Sequence, residues 1–282
     1  MEIAKTYMSK PITINYASNL VEVLKKIIDE NKSRLLVEKD YRISKIVSEK
    51  DLGLFLFSDT SGRKLGQISL SDISKEIISV NEFTNLDECA RKILDLEIGS
   101  LAISSDDNVI GILTKTDLVK YFSAAYLGKK TVGEYMTPYY AWEYSDSSIS
   151  YVVSKMIEKK ISRIILRNKS EIPDGIITFR DLFKISLKLG QEDEVLDNSD
   201  SMISVIFPRK GFVSKSGFGE ATKAFEIMTK NILSVNYDDD LAKTGKLLNN
   251  KQVNGAGVLS RNGNLIGMIS KTDIVKALAF MK

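Results

Sequence analysis

The chain has 282 residues, enough for two domains with separate cores, and its 40 basic and 37 acidic residues give a net charge of +3. It contains no histidine, which excludes Ser-His-Asp and Cys-His nucleophile systems, and one cysteine, which excludes an internal disulfide framework and a Cys-rich zinc site. A catalyst could use only Asp, Glu, Lys, Arg, Tyr, Ser or Thr, and the sequence assembles no such set, so we expect a chain that is not an enzyme and has no catalytic residues and no metal site. The charge balance is also not the strongly basic profile of a dedicated nucleic-acid-binding protein.

No apolar stretch approaches the ~20 residues that a membrane-spanning helix needs. The first residues show no signal-peptide pattern. We therefore expect a cytoplasmic protein that does not associate with a membrane.

A motif occurs four times along the chain, in which a short apolar strand runs into Ser or Thr, then two residues, then Asp. The copies are Ile46–Asp51, Ile112–Asp117, Ile176–Asp181 and Met268–Asp273. The first three are almost evenly spaced, and the fourth follows after a longer interval. Because similarity extends far upstream of each Asp, we interpret the chain as four structural repeats.

The first repeat shows the predicted elements in order. Apolar residues on one helical face are Leu20, Val23, Leu24, Ile27 and Ile28. The run Leu35–Val37 predicts a buried strand, a second strand carries the motif, and a second helix begins at the motif hydroxyl. Residues suited to N-cap the first helix of each repeat are Ser18, Thr84, Ser147 and Asp239. Residues that precede each repeat in register are Met8, Ile73, Met136 and Met228. Each unit is thus strand, helix, strand, strand, helix.

Two interpretations of the motif remain open. The hydroxyl and the carboxylate can cap the start of a helix without any ligand. They can also bind a nucleotide, because amide groups at a helix start and a hydroxyl can hold a phosphate, while Asp accepts from both hydroxyls of a ribose. The candidate pairs are Ser48 with Asp51, Thr114 with Asp117, Thr178 with Asp181, and Ser270 with Asp273. An empty site can use its own cap, so the two interpretations are compatible.

The unit resembles the cystathionine-β-synthase (CBS) domain. Val132–Pro138 and Ala224–Lys230 resemble the start of such a domain, and Gly111–Asp117 and Gly267–Asp273 resemble its closing signature. The resemblance implies a mixed α/β fold (α+β or α/β) of four β-α-β-β-α repeats, paired face to face through their sheets into two modules. It also implies clefts that hold AMP, ADP, ATP or S-adenosylmethionine.

The predicted domains follow the repeats. They are 1–65, 66–128, 129–189 and 223–282, with an inserted linker or arm at 190–222. Repeats one and two would form the pair 1–128, and repeats three and four the pair 129–282.

Further residues are expected near the clefts. Thr116 and Thr272 add a hydroxyl to two motifs, and Arg180 is the preferred phosphate-binding cation because it is planar and always charged. Ile78, Tyr140 and Leu233 are candidates for an apolar slot that holds the base, with core packing as the alternative. Lys45 stands where the other copies have glycine, so the cleft of Asp51 is expected to be the least well formed.

The resemblance favours a regulatory protein that binds adenine nucleotides and transmits occupancy to a separate effector protein or a nucleic acid, commonly as a dimer. A nucleic-acid-binding or scaffolding protein with partly vestigial clefts is the alternative. An enzyme that acts on the nucleotide is a third hypothesis, for which we expect no turnover.

Overall fold

The structure is a computed structural model that describes residues 2–59, 63, 65–184 and 222–281. The predicted arm at 190–222 lies, apart from residue 222, outside the described residues. Each repeat contains a short strand, a first helix, a hairpin of two strands and a second helix, in the predicted order.

The elements have the following bounds. Repeat one contains Thr13–Asn15, Leu20–Asp29, Arg34–Lys39, Arg42–Ser48 and Glu49–Ser58. Repeat two contains Ser79–Asn81, Leu86–Asp95, Ser100–Ser105, Asn108–Thr114 and Lys115–Ala125. Repeat three contains Trp142–Tyr144, Ile149–Glu158, Arg163–Arg167, Pro173–Thr178 and a helix that begins at 179 and is described as far as 184. Repeat four contains Ser234–Asn236, Leu241–Asn250, Gly255–Leu259, Leu265–Ser270 and Lys271–Ala279.

A leading segment precedes each repeat. These segments contain the short helices Ala4–Tyr7, Val132–Tyr135 and Ala224–Ile227, the 3-10 helices Leu65–Gln67 and Leu70–Asp72, and the two-residue strands Lys75–Glu76 and Thr229–Lys230. Within each repeat the short strand pairs in parallel with the first hairpin strand, which pairs antiparallel with the second. The first hairpin strand of each repeat is buried over three or four consecutive residues, as the apolar runs predict.

The leading segments are exchanged between consecutive repeats. The strand Lys75–Glu76, which precedes repeat two, extends the sheet of repeat one, and Thr229–Lys230, which precedes repeat four, extends the sheet of repeat three. In the opposite direction, Ser9 pairs with Ile112 of repeat two, and Thr137 pairs with Met268 of repeat four. Each motif strand therefore lies beside a segment that belongs, in sequence, to the other repeat of its consecutive pair.

The chain forms two compact units that combine alternate repeats. The even unit comprises Met1–Pro11, Ile77–Tyr140 and Ile232–Lys282, and the odd unit comprises Ile12–Glu76 and Ala141–Asn231. This grouping joins repeats two with four and one with three, while the predicted pairs 1–128 and 129–282 stay a prediction. It arises because helices of alternate repeats pack together, with a separate apolar core in each unit. Face-to-face packing of the sheets of consecutive repeats stays a prediction.

Helix packing in the even unit requires a residue without a side chain. A Cβ on Gly245 would lie 2.7 Å from Oγ of Ser123 and 3.0 Å from Cγ1 of Val119. Gly245 therefore allows the helix Leu241–Asn250 to approach the helix Lys115–Ala125 closely, which buries the facing side of both.

The first helices begin one residue later than predicted. Their N-caps are Asn19, Asn85, Ser148 and Asp240. In repeat one the amide of Ser18 donates to the carbonyl of Asn15 at 3.0 Å, so residue 18 is still part of the turn that follows the strand. The apolar pattern predicted the position of each first helix, and the helix begins one residue later than expected because the preceding turn is longer by that residue.

Candidate functional site

The motif hydroxyl of each repeat is the N-cap of the second helix, and the motif carboxylate accepts from it. In repeat two the Thr114 hydroxyl donates to Oδ2 of Asp117 at 2.6 Å, and the Thr114 amide donates to the same oxygen at 2.8 Å. The equivalent hydroxyl-to-carboxylate bonds measure 2.5, 2.7 and 2.6 Å in Ser48–Asp51, Thr178–Asp181 and Ser270–Asp273. The cap interpretation therefore holds in all four repeats, and the cap occupies Oδ2 of each carboxylate.

In repeats one to three the other carboxylate oxygen, Oδ1, contacts the exchanged leading segment. The Ser9 hydroxyl donates to Oδ1 of Asp117 at 2.8 Å, and the Thr229 hydroxyl lies 3.4 Å from Oδ1 of Asp181. In repeat four, Oδ1 of Asp273 lies 3.6 Å from Nζ of Lys276 on its own helix. Asp117 and Asp273 are nonetheless buried. Each carboxylate thus has one oxygen in the cap and a second oxygen whose partner lies outside the cap.

The motif site of repeat one differs because Lys75 contacts Oδ1, where repeats two and three have the hydroxyl of Ser9 or Thr229. Strand register places Lys75 opposite Ile46, as Thr229 lies opposite Ile176. Nζ of Lys75 donates to Oδ1 of Asp51 at 2.5 Å. The register also makes Ser74, and not the predicted Ile73, the equivalent of Met228. Sequence reasoning missed Lys75, although counting one residue past each leading methionine finds Ser9, Thr137 and Thr229.

The glycines before the motifs accommodate the leading methionines. A Cβ on Gly111 would lie 2.4 Å from Sδ of Met8, and one on Gly175 would lie 2.5 Å from Sδ of Met228. Repeat one has Lys45 in place of glycine and the small Ser74 in place of methionine, and Lys45 pairs with Glu76 at 3.5 Å. In repeat one the large residue lies on the motif strand and the small residue on the leading segment, the reverse of repeats two and three. This exchange explains how the fold tolerates Lys45.

Arg180, the predicted phosphate ligand, makes four hydrogen bonds inside the odd unit. Its Nε donates to Oε1 of Glu49 at 2.9 Å, and its Nη2 donates to Oε2 of Glu49 at 3.2 Å. It also bonds to Oδ1 of Asn31 and, at 3.2 Å, to the carbonyl of Lys32. A phosphate contact would require these bonds to break, because they occupy most of the guanidinium donors.

The hydroxyls of Thr116 and Thr272 lie in one cluster of the even unit. Nζ of Lys115 donates to Oγ1 of Thr272 at 3.0 Å, and Nζ of Lys271 donates to Oγ1 of Thr116 at 3.0 Å. The structure therefore connects these two predicted residues through Lys115 and Lys271. The sequence signal for these lysines is their position directly after the motif hydroxyl.

The residues predicted to hold the base lie beside the core. Ile78 and Leu233 are half-buried and pack against the core of the even unit, and their carbonyls accept from the amides of Ala102 and Gly257. In repeat three the equivalent carbonyl belongs to Ala141, so Tyr140 lies one residue before the predicted register. Contact between these side chains and a base stays a prediction.

Cys89 lies outside the motifs, among the buried residues of the even unit. Burial raises the pKa of the Cys89 thiol to about 12, which leaves it protonated and unreactive. Among the described residues, no three His, Cys, Asp or Glu side chains are grouped so as to hold a metal ion. No helix in the same part of the chain is long and apolar enough to cross a membrane.

The profile of the CBS domain matches residues 4–58, 65–124, 132–188 and 224–280. The chain belongs to the CBS domain family. The four matches confirm the predicted number of CBS repeats. They also agree with the mixed α/β architecture, in which each repeat forms a small sheet of three or four strands with its helices.

Two solved structures share the CBS fold over nearly the whole chain. Protein MJ1225 of Methanocaldococcus jannaschii, proposed as an archaeal homologue of g-AMPK, aligns over 99% of this chain and 100% of that protein, with a TM-score of 0.79 and 17% identity. An uncharacterized conserved protein of Pyrococcus horikoshii aligns over 98% and 100%, with a TM-score of 0.63 and 16% identity. At these identities the likeness shows the fold alone.

Curated relatives match parts of the CBS chain. Homoserine O-acetyltransferase of Methanococcus vannielii is 24% identical over 167 residues, which cover 59% of this chain and 28% of that protein. The uncharacterized protein MJ1404 of Methanocaldococcus jannaschii is 27% identical over 84 residues, which cover 29% and 20%. The chain therefore spans less than a third of the length of these relatives.

Proposed function

We propose that this chain is a regulatory protein that binds adenosine-containing ligands, such as AMP, ADP, ATP or S-adenosylmethionine, at its motif carboxylates. Occupancy would be transmitted to a separate partner, with the chain acting as a dimer in the cytoplasm. The orientation of the carboxylates supports the proposal most directly. In each repeat the cap fixes Oδ2, while Oδ1 has a partner that a ribose hydroxyl can replace.

The four clefts differ in how strongly Oδ1 is already engaged. The contacts at Asp181 and Asp273 are long, at 3.4 and 3.6 Å, whereas Ser9 holds Asp117 at 2.8 Å and Lys75 holds Asp51 at 2.5 Å. Because a ligand must replace these contacts, we expect Asp181 and Asp273 to bind most readily and Asp51 least. A charge-assisted bond from a ribose hydroxyl contributes roughly 1.5–3 kcal/mol.

Binding without catalysis agrees with the composition. The absence of histidine removes the base that most often activates a serine or cysteine nucleophile. The partial match to homoserine O-acetyltransferase covers 28% of that protein, so its activity does not extend to this chain. We therefore expect no turnover of ATP in an assay of the purified protein.

Calorimetry with adenosine, AMP, ATP and S-adenosylmethionine tests the proposal. Asp117→Asn, Asp181→Asn and Asp273→Asn keep an oxygen for the cap but replace the Oδ1 acceptor with an amide donor. Each variant should lose one binding event or weaken it at least tenfold. Asp146→Asn is the matched control, because Asp146 is a half-exposed carboxylate outside the motifs whose ion pair with Lys169 contributes little to stability. Unchanged binding in all three motif variants would refute the ribose assignment.

A further inference from the structure

The even unit holds two leading helices by the same backbone contacts. The amides of Ala4 and Lys5 donate to the carbonyls of Thr84 and Glu82, in the turn between the short strand and the first helix of repeat two, at 2.8 and 2.9 Å. Backbone groups are alike in all of these residues, so such bonds do not distinguish one leading helix from another. In repeat four the equivalent donors and acceptors, with bonds of 2.9 and 2.8 Å, are Val132 with Asp239 and Gly133 with Tyr237.

At repeat two the second residue of the leading helix supplies a cation to a buried carboxylate. Nζ of Lys5 lies 2.5 Å from Oε2 of Glu82, whose side chain is only 7% exposed, and the Ser105 hydroxyl donates to Oε1. Removal of the cation from a buried carboxylate is strongly unfavourable, because burial also deprives the carboxylate of water. A leading helix without a basic residue at this position is therefore disfavoured at repeat two.

At repeat four the second residue of the leading helix has no side chain, and an aromatic ring lies in that space. A Cβ on Gly133 would lie 2.4 Å from Cε2 and Cζ of Tyr237, closer than real Cβ atoms approach another carbon. The ring is half-exposed and can turn aside, but it then loses the apolar surface that it buries on the helix. A leading helix with a side chain at this position is therefore disfavoured at repeat four.

We propose that these two contacts select the leading helices, so that charge assigns Ala4–Tyr7 to repeat two and size assigns Val132–Tyr135 to repeat four. Each helix carries the residue that the other site disfavours, because Gly133 supplies no cation and Lys5 has no room beside the ring. The even unit thus has two docking surfaces with the same backbone contacts, and each of them fits one segment of this chain.

The assignment determines which residue lies beside each motif strand. Ser9, which follows the first of these helices, pairs with Ile112 and donates to Oδ1 of Asp117 at 2.8 Å. Thr137, which follows the second, pairs instead with Met268. A helix docked on the wrong repeat would bring the wrong residue to the motif strand. Selection therefore keeps the serine hydroxyl at the carboxylate of repeat two, and it does so without any ligand.

Hydrogen exchange of the full chain, measured by mass spectrometry on the segments 4–9 and 132–137, tests the selection. Lys5→Met removes the cation and should raise exchange of its own segment about tenfold, with the other segment unchanged. Gly133→Lys displaces the ring and should raise exchange of its own segment about three- to tenfold, again with the other unchanged. The matched controls, which should change neither segment, are exposed Lys10→Met and Gly66→Lys, at a glycine with open space around it.

A transplanted pair separates selection from general damage to the fold. Gly133→Lys combined with Tyr237→Glu recreates at repeat four the ion pair of repeat two, and should return exchange of segment 132–137 to within about twofold of the wild-type rate. Wild-type rates in both single variants would refute the selection. So would a double variant that exchanges as fast as Gly133→Lys, because the two residues would then only stabilise the fold. If Gly133→Lys does not fold, the double variant decides: a folded double variant supports the pair, and an unfolded one refutes it.

Discussion

Replacement of Lys75 with alanine should strengthen ligand binding at Asp51. Nζ of Lys75 lies 2.5 Å from Oδ1 of Asp51, the oxygen that a ribose hydroxyl would use. The Lys75 side chain is 68% exposed and that of Asp51 is 20% exposed, so the pair contributes at most about 1 kcal/mol. Removal of this competitor should therefore tighten binding by up to about fivefold. Lys75→Thr should have a smaller effect, because a threonine hydroxyl would compete as Ser9 does at Asp117.

Calorimetry with adenosine measures this change, since adenosine carries the ribose but no phosphate that Lys75 could attract. Lys75→Ala combined with Asp51→Asn must abolish the gain, which assigns it to the cleft. Lys169→Ala is the matched control, because Lys169 forms another exposed ion pair of the odd unit, with Asp146 at 3.4 Å. A weaker affinity in Lys75→Ala, or a gain that survives Asp51→Asn, would contradict the inference that Lys75 competes with the ligand.

Four further outcomes follow from individual contacts. Gly245→Leu should destabilise the protein by about 1–3 kcal/mol in denaturant unfolding, because its side chain meets Ser123 and Val119, whereas Gly66→Leu, with open space around residue 66, should change stability little. Glu49→Gln should lower the free energy of unfolding by about 1–3 kcal/mol, because Arg180 loses its charged partner. Glu76→Gln removes one partner of an exposed ion pair and should lower it by well under about 1 kcal/mol, so equal losses of stability in the two variants would refute this difference. Bonds from Lys5 and Ser105 lower the pKa of Glu82, so the ionised side chain stabilises the folded protein above the ordinary glutamate pKa, and this contribution is lost as the pH falls through the lowered value. Glu82→Gln should therefore make the unfolding midpoint depend less on pH over that acid range. An unchanged pH profile would contradict this. Adenosine binding at Asp117 should raise hydrogen exchange at the Ser9 amide, with no such change in Asp117→Asn.

The repeat was predictable because its signals are local. The motif of a hydroxyl residue, two further residues and an aspartate marks the start of a helix and also forms its N-terminal cap. Thr114 and Asp117 could therefore be located from sequence alone. The partners that Asp51, Asp117 and Asp181 receive from the leading segments were not predictable. Ser9 is far from Asp117 in sequence, and the exchange of leading segments that joins them is a tertiary feature without a local pattern. Arg180 shows the same limit, because its bond to Glu49 depends on which repeats share a unit.

The exchange of leading segments gives Asp51, Asp117 and Asp181 a connection beyond their own repeats. A ribose that takes Oδ1 of Asp117 must displace the Ser9 hydroxyl, and the chain after Ser9 passes at Pro11 from the even unit into the strand Thr13–Asn15 of the odd unit. A ligand changes an equilibrium only by the difference in its affinity for two states. The two states here are a leading segment bonded to the carboxylate and one released from it. Because the strength of this bond differs among Asp51, Asp117 and Asp181, we expect these three sites to release their leading segments at different ligand concentrations.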